Sequence, residues 1–155
     1  LYIPRLDPVH ASAGFCVVFT MNPVDRIGTN PLPGALYDRC AWIRIPHLDL
    51  EGATRVVMMR TDNKDRDFVR AICRVVELAR THPEVSSGAS VRAAIHITRL
   101  LMNLPAGRDP FDPAEVLRCA EASLARNIRM KYDAVTSPSE IVAAAVEEVF
   151  GPKKG

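Results

Sequence analysis

The distribution of apolar and polar residues divides the chain near residue 50. Before that point two apolar runs, FCVVFTM (Phe15–Met21) and AWIRIP (Ala41–Pro46), flank a segment rich in Gly and Pro. The first run is apolar at nearly every position, as in a strand covered on both faces of a parallel sheet. The pattern predicts two strands, with a short helical turn from Pro33 to Arg39 between them. Because two strands do not form a stable sheet alone, we expect their partners to lie in sequence that this chain lacks.

Beyond residue 50 the apolar positions repeat with the 3.6-residue period of α-helices. Four helix starts are marked by capping residues. Asp65 precedes the first helix, which should end near His82 because the residue before a proline resists the α conformation. The other three starts are Ser90, the DPAE segment at 112–115 and the SPSE capping box at 137–140.

The four predicted helices are expected to pack into a bundle through their apolar stripes. The fold class expected from these patterns is an α/β part at residues 1–50 followed by an all-α bundle at residues 51–155, mainly helical overall. For the helix after Ser90, the predicted inward stripe is Val91, Ala94, Ile95, Thr98, Leu101 and Met102.

Composition and charge exclude some classes of protein without identifying one. The 20 Lys and Arg against 18 Asp and Glu leave a net charge of +2, which is too small a bias to indicate nucleic acid or a membrane surface. No apolar run approaches the roughly 20 residues of a membrane-spanning helix, so we expect a soluble, cytoplasmic protein. The four cysteines form no CxxC pair, which argues against a metal site and favours a reducing compartment.

Two polar residues in the first part stand where chemistry could occur. Asn22 follows the first apolar run, and ligands of open parallel sheets bind beyond the carboxyl ends of the strands. Its amide could orient a water or contact a phosphate oxygen, although Asn-Pro is also a common turn start. Arg39 could reach the phosphates of a nucleotide in a neighbouring subunit as an arginine finger. The alternative for Arg39 is an ion pair with Asp38 or with another surface acid.

A third candidate, Arg92, lies in the first turn of the helix that Ser90 caps. The N-terminus of a helix favours an anion, so a cation there is locally unfavourable unless an anionic partner is present. His96 and Arg99 follow one and two turns later on the same face. These residues either face a ligand or form a solvated helix face.

These segments, taken in order, resemble the carboxyl-terminal part of a MoxR-type AAA+ ATPase, a P-loop family. VVFTMNP (17–23) resembles the sensor 1 strand of that family, and GTNPLPGALYDRC (28–40) resembles the loop and helix that end in the arginine finger. SGASVRAAIHITRLL (87–101) is similar to the sensor 2 helix of the lid, and GRDPFDPAEVLRCAEASLARNI (107–128) to the segment that closes the lid bundle. The resemblance covers most of the chain, and Cys40 departs from the aromatic residue usual after Asp-Arg.

The resemblance implies a fold and a set of roles. Residues 1–50 would be the remnant of a P-loop AAA+ α/β core, with the sensor 1 strand, the arginine-finger helix and the last strand, and residues 51–155 would be the helical lid. Asn22 would be sensor 1 and would position the attacking water. Arg39 would be the finger that acts on a neighbour's nucleotide, and Arg92 would be sensor 2, in its own subunit or in trans. The implied function couples ATP hydrolysis to remodelling, activation or metal-cofactor assembly of a client protein, in a ring of subunits expected to be a hexamer.

Two motifs of such an ATPase are missing from the sequence. No GxxxxGK[ST] occurs and no apolar strand ends in paired acids, so the phosphate cradle and the Mg²⁺ ligands are absent. ATP and Mg²⁺ are therefore expected in the complete protein and not tightly bound to this chain, which should be inactive alone. The start LYIPRLDPVH has neither an initiator Met nor a signal pattern, which indicates an internal fragment with the missing motifs before Leu1.

A hypothesis from another class is a non-catalytic helical module that docks a protein or a nucleic-acid backbone. Its motivation is a basic stripe formed by Arg92 and Arg99, with Arg70, Arg74 and Arg80 nearby in sequence. Under the ATPase hypothesis no membrane partner is expected, and nucleic acid is not expected to bind.

Overall fold

The computed structural model describes residues 10–20 and 34–152, apart from the side chain of Tyr37. The chain forms two compact units, Leu1–Trp42 and Ile43–Gly155. In the described part of the first unit, the regular structure consists of one short helix, α1 (Gly34–Tyr37). This helix coincides with the helical turn predicted ahead of Arg39.

The two predicted strands are wrong wherever the structure describes them. Phe15–Thr20 and Ala41–Pro46 adopt no regular secondary structure, while Met21 lies outside the described residues. Their apolar side chains face solvent: Val18 is 82% exposed and Ile45 87% exposed. A strand needs a neighbour for its backbone N–H and C=O groups. Without a neighbouring strand, apolar composition alone does not produce a sheet.

The described part of the second unit is a bundle of five α-helices with a small two-stranded sheet, so the predicted mainly helical fold is confirmed. The bundle has one helix more than the four predicted. Its helices are α2 (Leu50–Thr61), α3 (Arg66–Thr81), α4 (Val91–Met102), α5 (Pro113–Leu124) and α6 (Pro138–Phe150).

All four predicted helix starts are confirmed by their caps. The Asp65 carboxylate accepts a hydrogen bond from the Phe68 amide at 3.0 Å, and Ser137 forms a full capping box with Glu140. Each cap satisfies N–H groups that have no partner inside the helix. The end of α3 directly before His82 is confirmed as well. The remaining two caps are Ser90 on α4 and Asp112 on α5.

Helix α2 was missed because its sequence carries a weak periodic signal. Its buried residues are Gly52, Thr54 and Val57, and only the last is a large apolar residue. Asp49 caps it, with the Gly52 amide donating to the carboxylate at 2.7 Å. Because a helix of this length is marginally stable alone, the stabilisation of α2 comes mainly from its packing against α3 and α4.

The predicted inward stripe of α4 is partly wrong. Ala94, Thr98 and Leu101 are buried as predicted, but Met102 is 48% exposed. Ala93 and Ile97 are buried instead. Helix α4 packs against three helices, α2, α3 and α5. Its buried face is therefore wider than the predicted stripe and is rotated relative to it. Val91 and Ile95 are half-buried.

The core lies where α3 and α4 meet their neighbours. The apolar face of α3 is buried throughout, and its residues include Phe68, Val69, Ile72, Val75, Val76 and Ala79. The largest fully buried side chains of the described residues are Ile72, Ile97, Leu101 and Leu124. Burying a side chain of this size contributes about 1.5–3 kcal/mol, so these contacts dominate the stability of the unit.

The small sheet joins the loops at one end of the bundle. Strand β1 (Val85–Ser87) pairs antiparallel with β2 (Arg129–Met130), with Val85 opposite Met130. A short 3₁₀ turn, Ala125–Asn127, connects α5 to β2. Among the described residues, no helix is both long and apolar enough to cross a membrane.

Candidate functional site

The start of α4 is the best-defined of the predicted sites. The Ser90 hydroxyl accepts a hydrogen bond from the Arg92 amide at 3.4 Å, so the cap and the candidate residue belong to one turn. The Arg92 side chain is exposed. Within the described part of the chain, its guanidinium has no hydrogen-bond or ion-pair partner.

Gly88 fixes the path of the chain into α4. A Cβ at this position would lie 2.6 Å from Cγ and 2.7 Å from Cα of Arg80. Only a glycine allows the backbone to lie this close to the last turn of α3. The close approach therefore sets where Ser90, and with it Arg92, stands relative to α3.

A small pocket opens beside this turn. It lies between the N-termini of α2 and α4 and the last two turns of α3, and its volume is about 30 Å³. Ligand sites for nucleotide-sized molecules occupy roughly 300–1,000 Å³, so this pocket has room for water only. Two helix N-termini border it, which favours negative charge nearby. Its polar lining includes His47, Asp49, Glu77, Arg80 and Ser90.

Arg80 is a site residue whose position the sequence did not indicate. The sequence placed it only in a possible basic stripe, whereas it is half-buried in the last turn of α3 and lines the pocket. Its cation is favourable there because the C-terminal end of a helix carries partial negative charge. The contact with Gly88, eight residues further on, depends on the tertiary fold and could not be read from a local pattern.

Arg39 follows α1 in the first unit. Its Nη1 atom donates to the Ala35 carbonyl at 2.9 Å, and the side chain is exposed. The ion pair with Asp38 considered from the sequence is not formed. The guanidinium thus donates to a backbone carbonyl at the C-terminal end of its own helix, where carbonyl groups lack partners within the helix.

Of the three predicted site residues, two lie in the described structure, and they belong to different units. Asn22 lies outside the described residues. Arg39 belongs to the unit Leu1–Trp42 and Arg92 to the unit Ile43–Gly155, and each is described within its own unit.

Most of the basic residues considered as a docking stripe form ion pairs or hydrogen bonds within the second unit. Arg70 pairs with Glu51 at 2.9 Å, and Arg74 pairs with Glu77 at 2.9 Å and Glu148 at 3.6 Å. These two arginines of α3 therefore face carboxylates. On α4, Arg99 donates to the backbone carbonyl of Arg60 at 2.9 Å, which ties α4 to the C-terminal end of α2.

The described cysteines and acids form no metal centre. Among residues 10–20 and 34–152, no group of three or more His, Cys, Asp or Glu side chains is placed to hold a metal ion. Burial raises the pKa of the Cys73 thiol to about 11 and also raises the pKa of Cys119. Both thiols are therefore protonated at neutral pH and poor nucleophiles.

Comparison with known proteins identifies no relative. No family model matches the chain, and neither a curated protein nor a solved structure matches it at a significant level.

Proposed function

We propose that this chain is the sensor, arginine-finger and lid part of a MoxR-like AAA+ ATPase. The complete protein would couple ATP hydrolysis to remodelling, activation or metal-cofactor assembly of a client protein. The observation that carries the proposal is the turn at the start of α4, which holds an exposed arginine without a protein partner among the described residues. This arginine stands within the segment that resembles the sensor 2 helix.

The electrostatics of that turn favour an anionic ligand. A cation in the first turn of a helix opposes the dipole, at a cost of about 0.3–1 kcal/mol at an exposed position. A phosphate near Arg92 would make this contribution favourable, because it would be attracted both by the guanidinium and by the positive end of the helix dipole. The packing of Gly88 on Arg80 holds the turn in place before any ligand arrives.

Arg39 suits a role in trans. Its guanidinium is exposed and, among the described residues, is held by one hydrogen bond to its own helix. A hydrogen bond of this kind contributes about 1 kcal/mol net, so the side chain can leave Ala35 at small cost to reach a neighbour's phosphate. In the proposed ring, this arginine would stabilise the charge that develops on the transferred phosphoryl group.

The nucleotide itself would be held mainly by parts of the protein outside this sequence. The pocket beside α4, at about 30 Å³, cannot enclose a nucleotide. The sequence contains no P-loop lysine and no acidic strand end for Mg²⁺. Arg92 and Arg39 would therefore adjust bound ATP, and the chain alone is expected to show no hydrolysis above a buffer control.

The test is a pair of arginine variants in the complete ATP-binding protein. Arg39→Ala should lower turnover by roughly 10³-fold while the Kd for ATP stays nearly unchanged, because a finger acts mainly on the transition state. Arg92→Ala should lower turnover and also weaken ATP binding. Arg55→Ala removes an exposed arginine of α2 and serves as the matched control, with both constants unchanged.

Two outcomes would contradict these roles. For Arg39, the contradicting result is loss of ATP binding with unchanged turnover per bound nucleotide. For Arg92, it is a variant whose Kd for ATP and turnover both equal those of the Arg55→Ala control.

The structure gives little support to the alternative of nucleic-acid binding. Arg70 and Arg74 are paired with carboxylates, so the basic residues do not form one continuous cationic face. Backbone binding to nucleic acid depends on several uncompensated cations and falls steeply with salt. The pairing of Arg70 and Arg74 leaves Arg80, Arg92 and Arg99 as the cations of that stripe without a carboxylate partner among the described residues.

A further inference from the structure

Arginines on the outer sides of α2 and α4 have no carboxylate partner among the described residues. Arg55 and Arg60 are exposed on α2, and Arg99 is exposed on α4. Glu51, the one acidic residue of α2, already pairs with two arginines of α3. The sequence of α4 contains no Asp or Glu. The positive charge of these three arginines is therefore not neutralised by their own helices.

The two helices present these cations on one surface. Nη2 of Arg99 donates to the Arg60 carbonyl at 2.9 Å, which places the end of α4 against the end of α2. Arg55 and Met59 lie one turn apart and are both exposed on α2. On α4, His96 precedes Arg99 by one turn and is exposed as well. We call this surface the α2–α4 face, and its residues are Arg55, Met59, Arg60, His96, Arg99 and Leu100.

Two apolar side chains are exposed on the face beside these cations. Met59 is 72% exposed and Leu100 is 46% exposed. Methionine is flexible and adapts to the surface of a partner. A partner that fits this face therefore supplies apolar side chains and negative charges together. A nucleic-acid backbone would supply phosphates to the arginines but would leave Met59 and Leu100 in water.

The positive charge is a local property of this face. The whole chain carries a net charge of only +2, and α6 carries three glutamates and no Lys or Arg. Asp62, at the C-cap of α2, is the acidic residue nearest to Arg60 in sequence. This single carboxylate leaves the three arginines in excess. A negatively charged partner is therefore attracted to the α2–α4 face and repelled by α6.

We propose that the α2–α4 face binds an acidic amphipathic helix of a protein partner. On one side, such a helix would carry carboxylates for the arginines and apolar side chains for Met59 and Leu100. The 12 residues of α2 extend over about 18 Å, so a partner helix of about 12 residues matches the face in length. The proposal uses the helical unit alone. It does not involve Arg92 and does not depend on the proposed ATPase function.

The experiment measures the binding of synthetic peptides to the 155-residue chain by fluorescence anisotropy. The acidic peptide, of about 14 residues, carries Glu and Leu on one helix face and Ala and Gln elsewhere. A scrambled peptide of the same composition separates Glu from Leu, and a basic peptide has Lys in place of Glu. The acidic peptide should bind with a Kd of about 10–100 µM, and the other two at least about tenfold more weakly.

Variants of the chain locate the binding surface. Combining Arg55→Glu with Arg60→Glu reverses the charge of α2, so it should weaken binding of the acidic peptide by roughly tenfold and strengthen binding of the basic peptide. Met59→Ser should weaken the acidic peptide by about threefold to tenfold. Arg126→Glu changes an exposed arginine of the 3₁₀ turn and is the matched control, with wild-type affinity. Because all these side chains are exposed, far-UV circular dichroism should show an unchanged fold.

Three results would overturn the proposal. One is an equal Kd for the acidic and the scrambled peptides. Another is a charge-reversed chain that binds the acidic peptide as tightly as the Arg126→Glu control. The third is a DNA duplex of about 20 base pairs that binds more tightly than the acidic peptide and is unaffected by Met59→Ser, which would identify a phosphate backbone as the ligand.

Discussion

Thr98 is a polar residue in the core with an unused hydrogen-bonding group. It is completely buried in α4, and its hydroxyl oxygen has no hydrogen-bond partner among the described residues. Thr54, equally buried in α2, instead donates its hydroxyl to the Leu50 carbonyl at 2.7 Å. Leaving a buried polar group unpaired costs about 1–3 kcal/mol, so the two threonines contribute differently to stability.

Replacing each threonine by valine, which has nearly the same shape, tests this difference. Thr98→Val should raise the free energy of unfolding by about 1 kcal/mol, because no hydrogen bond is lost. Thr54→Val should lower it by a similar amount. Urea denaturation with an unchanged m-value measures both. A Thr98→Val variant less stable than the wild type would show that its hydroxyl is bonded.

Among the elements, the connection between α3 and α4 depends on Gly88. A side chain at this position would meet the backbone of Arg80 at 2.7 Å, and a backbone atom cannot rotate away as the end of a flexible side chain can. The loop would have to move outward, and the first turn of α4 would move with it.

We therefore expect Gly88→Ala to destabilise the chain by about 1–3 kcal/mol, in the range of other overpacking substitutions. Gly34→Ala is the matched control, since a Cβ there meets nothing within 4 Å. Thermal or urea unfolding measures the free energy of unfolding of both variants. Equal stability of Gly88→Ala and Gly34→Ala would show that the loop relaxes freely.

The loop between β2 and α6 responds to pH through Glu84. Hydrogen bonds from the Thr136 and Val135 amides hold the pKa of this carboxyl below its usual 4.5. A carboxyl whose pKa is lowered by folding adds stability above its unfolded pKa and loses that contribution as pH falls through the folded pKa. Glu51, beside Arg70 and Arg66, and Glu140 have lowered pKa values as well.

The Glu84→Gln variant should lose less stability than the wild type between pH 6 and pH 3. It keeps an oxygen that can accept the two amides but has no charge to lose on acidification. The melting temperature measured across this range gives the comparison. Val135→Ala, on the same loop and without a titrating group, should follow the wild-type profile, because the backbone amide that donates to Glu84 is kept. Identical profiles for Glu84→Gln and the wild type would contradict the role of the carboxylate.

At the scale of the whole molecule, local sequence patterns predicted most of the helices but did not predict the contacts between distant residues. The caps at Asp65, Ser90 and Ser137 act within three residues of themselves, so sequence suffices to find them. The run at Phe15–Thr20 was misread because strand formation depends on partners distant in sequence. The extra helix α2 has too few large buried residues to be recognised from periodicity.

The candidate site was predictable only in part for the same reason. The sequence indicated Arg92 through the Ser90 cap, a local relationship. It could not indicate the contact of Gly88 with Arg80 or the clamp of Glu84 on Val135, which lies 51 residues away. Such contacts become visible when the packing of the bundle is known.

We propose that Asn22, Arg39 and Arg92 act on a nucleotide held by preceding sequence. The most direct test of this proposal is to determine the coding sequence immediately upstream of Leu1 over about 200 residues, the length of a domain. The account predicts a GxxxxGK[ST] loop followed by an apolar strand that ends in acidic residues. An open reading frame that begins at Leu1, or upstream sequence without these two motifs, would contradict it.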